Sequence, residues 1–155
     1  MQTKLRRLRV LGRFVAVGFA IFFSVGIIGH LTGSGVDPQS EFGQLVRWGA
    51  GGEPQEVMLG SVYLAIAACL WAAAGRPLQH WLFLDFALVA NVAHSLAMVV
   101  LSLAWPRSMS HLWGDSLFTI VPTVLLAYAW LPVRAQVLAV ARPPATDDEH
   151  LDALR

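Results

Sequence analysis

Residues 81–104 read WLFLDFALVANVAHSLAMVVLSLA, and after Trp105-Pro106-Arg107 the chain resumes with SMSHLWGD at 108–115. An α-helix rises 1.5 Å per residue, so about 20 consecutive apolar residues cross the hydrocarbon of a bilayer. The first run is long enough to do so. It nevertheless carries Asp85, Asn91 and His94. A bare ionisable group at the bilayer centre costs about 3 kcal/mol or more, so such groups are expected to face the protein interior and to have a partner or a task.

The pattern extends outward in both directions. Of 155 residues, 56% are hydrophobic and 14% charged, against roughly 25% charged in soluble domains. Lipid is therefore the expected solvent, and the predicted fold is all-α: one integral membrane four-helix bundle. Spans are expected at about 10–31, 56–74, 81–104 and 110–131. Residues 1–9 form a basic arm, and 132–155 a juxtamembrane segment with an acidic tail expected to be disordered. The basic start resembles a secretory signal, but three later apolar runs and the lack of an Ala-x-Ala-like site favour an uncleaved anchor.

Smaller signals mark the ends of the spans. Gly33-Ser34-Gly35, Asp37-Pro38 and the glycines of 49–52 predict a loop. Within it, residues 40–48 fit a short interfacial helix with Phe42, Leu45 and Trp48 toward lipid, or a plain loop. Pro54 suits the first turn of the second span, Ser108 or Ser110 an N-cap of the fourth, and Pro122 a kink within it. The lone cysteine, Cys69, excludes an internal disulfide and reads as a small buried hydrophobe. The formal net charge of +1 gives no reason to expect a nucleic acid partner.

Positive residues set the expected topology. Lys4, Arg6, Arg7, Arg9 and Arg13 precede the first span, Arg76 lies in the turn after the second, and Arg134 and Arg142 follow the fourth. The opposite side has Arg47 and Arg107 beside several acids. The positive-inside rule therefore places both termini in the cytoplasm. Trp48, Trp105 and Trp113 then mark the outer interface, and Trp81 and Trp130 the inner one.

With that orientation, depths can be compared. His94 stands ~15 Å below the outer end of the third span, and Asp115 about 10 Å below Ser108, by helical rise. Glu56 opens the second span on the same side, and His30 closes the first. His111 and Asp115 are i and i+4, so they share a helix face. Asn91, His94 and Met98 share a stripe on the third span, and Glu56, Gly60 and Tyr63 one on the second. Small residues at Gly60, Ala67 and Ala90 permit close helix approach. Turned inward, these stripes would build one polar chamber in the outer half of the membrane. Each member also has a plainer reading: Glu56 as a helix-dipole partner, His111 as a wet interfacial histidine, and Asp115 or His94 as locally hydrogen-bonded. Asp85 reads as a structural or snorkelling acid, and His80 and His150 as solvated.

The residues Glu56 and Tyr63, His80 after Arg76-Pro77, Asn91-x-x-His94 and His111-Leu112-Trp113-Gly114-Asp115 together resemble a bacterial family of short four-span membrane proteins. In that uncharacterised family a histidine stands mid-way in the third span and His-Leu-x-Gly-Asp opens the fourth. The likeness covers residues 53–131. Asn91 departs from the small hydroxyl residue typical of its place. The resemblance implies an architecture and a shared polar site, and no activity.

Three function classes fit the residues. Glu56, Tyr63, Asn91, His94, His111 and Asp115 suit a chamber for a lipid-like or other small amphipathic ligand. The same groups suit a structural network in a non-catalytic membrane subunit, in contact with a second copy or a partner subunit. Finally, His94, His111 and Asp115 suit a divalent metal, zinc or iron, as in a metal-dependent enzyme. Membrane lipid is a partner in every case.

Overall fold

In lipid a backbone must satisfy its own hydrogen bonds, and a helix does so within one segment; each long apolar run accordingly becomes a helix. The computed structural model describes residues 2–37, 39–47 and 53–141. They form α1 (Gln2–Thr32), α2 (Glu41–Val46), α3 (Glu53–Gly75), α4 (Trp81–Ala104), a 3₁₀ segment (Pro106–Leu112) and α5 (Asp115–Ala141). Four stretches are long and apolar enough to cross a membrane: Gln2–Thr32, Pro54–Gly75, Trp81–Ala104 and Met109–Val140. Trp48, residues 49–52, the Arg107 side chain and the tail from Arg142 lie outside the described residues.

The long helices stand in a ring. α1 packs most extensively on α3 and also on α5, α5 packs on α4, and α3 meets α4 more sparsely. Their outward faces are greasy. On α1, Val10, Phe14, Val17, Ile21, Val25 and Ile28 are exposed at intervals of three or four residues. On α4, Leu82, Phe86, Val89, Val92, Leu96 and Val100 repeat the pattern. Buried positions include Asn91, Ser95, Ser102, Ser116, Thr119 and Thr123. Apolar outside and partly polar inside is the arrangement that hydrocarbon, not water, rewards.

The α1–α3 pair is close for a stated reason. A Cβ at Gly12 would lie 2.7 Å from the Ala74 Cβ, and one at Gly60 3.1 Å from Ile27. Glycine at both places lets the backbones approach. Above Gly60, Tyr63 stacks on Phe23 at 4.4 Å and meets Phe19 edge-on at 5.2 Å.

Several expectations are corrected. Residues 2–9, expected as a basic arm, are helical and continuous with α1. The fourth crossing does not start as an α-helix at Ser108 or Ser110: Pro106 begins a 3₁₀ segment, and α5 starts at Asp115. Beyond Leu131, α5 continues through Pro132 to Ala141. α2 forms where a short helix or a loop was expected. The Ser40 side chain caps it, accepting the Gly43 amide at 3.0 Å. Phe42 is exposed, but Leu45 is half-buried against Gly114. Trp130 is fully buried within the bundle and not turned to lipid, while Cys69 is exposed on the outer face of α3.

Candidate functional site

The six expected site residues divide into three groups, because α3 turns its Glu56–Gly60–Tyr63 stripe onto α1 and not toward a common centre. The first group joins helix ends. His30, in the last turn of α1, places Nε2 2.7 Å from the Glu56 carboxylate. Arg47, at the C-cap of α2, lies 3.5 Å from the same oxygen through Nε and donates Nη1 to the Val36 carbonyl at 2.8 Å. Its Nη2 lies 3.5 Å from His30 Nδ1. Arginine can only donate, so Nδ1 accepts and Nε2–H points at Glu56. α1, α2 and α3 are thereby tied at one end. Replacing Glu56 with leucine removes an acceptor that His30 and Arg47 share. Faster hydrogen exchange over residues 33–47, with the helix interiors unchanged, is the expected result; unaltered exchange there would refute the clasp.

The second group is His111 with Asp115. His111 Nδ1 lies 3.1 Å from the carboxylate, and both side chains are nearly buried. The i, i+4 spacing holds although His111 belongs to the 3₁₀ segment and not to the fourth helix proper. Asp115, in the first turn of α5, also complements the positive end of the helix dipole.

The third group lies deeper. His94 is half-buried and its ring tilts against Tyr63 with centroids 5.4 Å apart. Among the described residues nothing hydrogen-bonds the His94 ring, and His94 does not meet Asp115 as a shared chamber would require. One turn earlier, Asn91 is 2% exposed; its amide donates to the Ala87 carbonyl at 2.8 Å, while its Oδ1 has no partner among the described residues.

The expected metal set is therefore not assembled. Among the described residues no three His, Cys, Asp or Glu side chains come together to hold an ion. His94 faces α3, whereas His111 and Asp115 face each other at the end of the bundle.

Two constellations escape a residue-by-residue reading. Between α4 and α5 runs a hydroxyl seam: Ser95 donates to Thr119 at 3.3 Å, Thr119 to the Ser116 carbonyl at 2.9 Å, and Thr123 to the Thr119 carbonyl at 2.7 Å. Ser102 and Ser116 are fully buried, and their hydroxyls have no partner among the described residues. A signal was present, since Asn91, Ser95 and Ser102 on one run and Ser116, Thr119 and Thr123 on the other recur at helical spacing.

The second constellation closes the other end. Asp85 accepts Trp130 Nε1 at 2.7 Å and a forked pair from Arg134, Nε at 2.7 Å and Nη2 at 2.8 Å. Here the structural reading of Asp85 holds, with Arg134 and Trp130 as its partners. No family model matches the chain, and neither a curated protein nor a solved structure does.

Proposed function

We propose that the chain is a multi-pass protein of the bacterial inner membrane, both termini cytoplasmic, that binds a small amphipathic ligand between α3 and α4. The observation that carries this reading is His94. An imidazole in mid-span, without a protein hydrogen bond among the described residues, is a group that the fold leaves for something else to satisfy. Tyr63 beside it supplies a phenol and an aromatic wall, and the buried Asn91 Oδ1 adds an unused acceptor one turn away. The sparse α3–α4 contact gives a flexible, lipid-like molecule a route in from the bilayer. A ligand with a hydroxyl or carbonyl head and an apolar body fits this chemistry. The orientation rests on the positive residues, five of which open α1.

The test compares retention with stability. His94→Leu should abolish retention of the small amphipath that co-purifies with the wild type in mild detergent, read by mass spectrometry of the extract. Compared with wild type stripped of that amphipath, it should melt higher, because removing a half-buried polar group that then has no partner relieves on the order of 1–2 kcal/mol. Unchanged extracts together with a lower melting temperature would end the proposal.

A second reading has its own support. The His30–Glu56–Arg47 and Asp85–Trp130–Arg134 groups each join different helices through bonded side chains. They suit a non-catalytic subunit whose polar residues fix helix register for a second copy or a partner. A His94→Leu variant that lowers stability without altering extracted material is the result this reading expects.

A further inference from the structure

We propose that the opening turns of α1 hold one anionic phospholipid, its phosphate on Arg6 and Arg9 and an acyl chain along Val10, Leu11 and Tyr128. Residues 2–13 carry Lys4, Arg6, Arg7, Arg9 and Arg13 and no acid. Two of the arginines are occupied. Arg13 lies over the Trp71 ring at 4.6 Å and Arg7 over Tyr128 at 4.8 Å, cation–π contacts that hold them against the bundle. Arg6 and Arg9 are exposed and have no carboxylate partner among the described residues.

The space beside them has the right chemistry. With Gln2, Thr3 and Leu5, the two arginines line a hollow of about 520 Å³. A groove of about 350 Å³, lined by Thr3, Arg6, Arg7, Val10, Leu11 and Tyr128, adjoins it. Thr3 and Arg6 border both, so a cationic hollow opens directly into an apolar groove between α1 and α5. The exposed apolar stripe of α1 begins at Val10. Arg6 stands one turn beyond it, about 6 Å along the axis, which is headgroup depth. The site is made by guanidinium side chains and an aromatic wall, not by free amides of the helix end. A free phosphate or an acidic peptide would use the cationic half alone; a phospholipid uses both halves.

Native mass spectrometry of the detergent-solubilised full chain, titrated with phosphatidylglycerol or phosphatidylcholine, tests this. The first phosphatidylglycerol should bind more tightly than phosphatidylcholine. Arg6→Gln and Arg9→Gln should each weaken phosphatidylglycerol about fivefold, the usual worth of one basic residue at an anionic surface. Lys4→Gln removes the same charge outside the hollow and should leave the preference nearly intact. Tyr128→Ala should weaken both lipids. Equal loss with Lys4→Gln, no preference for the anionic lipid, or displacement by inorganic phosphate would overturn the proposal. So would phosphatidylglycerol binding that emerges only after Asp147, Asp148, Glu149 and Asp152 are made neutral, because the hollow would then belong to the chain's own tail. The outcome does not depend on the His94 ligand, which is tested separately.

Discussion

Asp85→Leu is expected to lower the melting temperature further than Arg134→Gln. The carboxylate accepts three donors at 2.7–2.8 Å, two from the Arg134 fork and one from the Trp130 indole. Trp130 is fully buried. Leucine would leave its N–H without an acceptor in an apolar setting, at a cost of about 1–3 kcal/mol. Arg134→Gln spares that bond and removes only the outer, more exposed partner. Location adds to the effect. Residues 105–114 join α4 to α5 at one end of the pair, and Asp85 fastens the two helices at the other. Without it the last turns of α5 should exchange hydrogen faster. In the double variant Asp85→Leu with Arg134→Gln, the loss should match that of Asp85→Leu alone, because Arg134 is exposed and water solvates it once the carboxylate is gone. Thermal unfolding in detergent reads all three. Arg134→Gln matching or exceeding Asp85→Leu would show that the indole bond contributes nothing.

The contrast between Asp85 and His94 explains how much was legible beforehand. Length and hydropathy fix which helices are long and apolar enough to cross, so the four candidate spans and the positions of Glu56, His94 and Asp115 along them follow from counting residues. Glu56, His111 and Asp115 do lie at one end of the bundle, as counting predicts. Helical periodicity further tells which residues share a face, and Gly60 with Tyr63 do share one. It does not tell which neighbour that face meets. α3 could have turned Glu56 toward His111; the close approach at Gly12 and Gly60 turns it toward His30 on α1. One polar chamber was expected for that reason, and among the described residues separate groups form. Asp85 and Arg134 were visible as charges at the ends of apolar runs, where snorkelling explains each alone. Their pairing spans 49 residues of sequence, a separation for which local pattern carries no information. The hydroxyl seam escaped because serine and threonine in a membrane helix can bond their own backbone, as Thr123 does. The 3₁₀ start of the fourth crossing packs against α2, a contact between segments distant in sequence that local pattern does not reveal.

That packing gives the second large effect. Gly114→Ala is expected to expel α2 from the bundle end and to cost about 2 kcal/mol, the usual scale for forcing an atom into filled space. Its backbone is not in the left-handed region, which among the described glycines only Gly33 occupies. Space alone selects glycine here. A Cβ would collide with the Leu45 carbonyl oxygen and fall 2.6 Å from its carbon and 2.7 Å from its Cβ. Two of these are backbone atoms, so no rotamer change clears them. α2 must withdraw, the bond from Ser110 Oγ to the Gln44 carbonyl at 2.7 Å must break, and Arg47 must lose its reach to Glu56. Hydrogen exchange should accelerate across 41–47. Gly18→Ala and Gly26→Ala serve as controls: a Cβ at either meets nothing within 4 Å. Alanine there should be neutral or stabilising by about 0.5–1 kcal/mol through helix propensity. Because the collision lies at the end of the bundle and His94 lies deep between α3 and α4, Gly114→Ala should leave His94-dependent ligand retention intact while lowering the melting temperature. Equal tolerance of alanine at 114 and at 18 would mean that α2 does not rest on Gly114. Loss of ligand together with α2 would mean that the bundle end and the deep site are one unit after all.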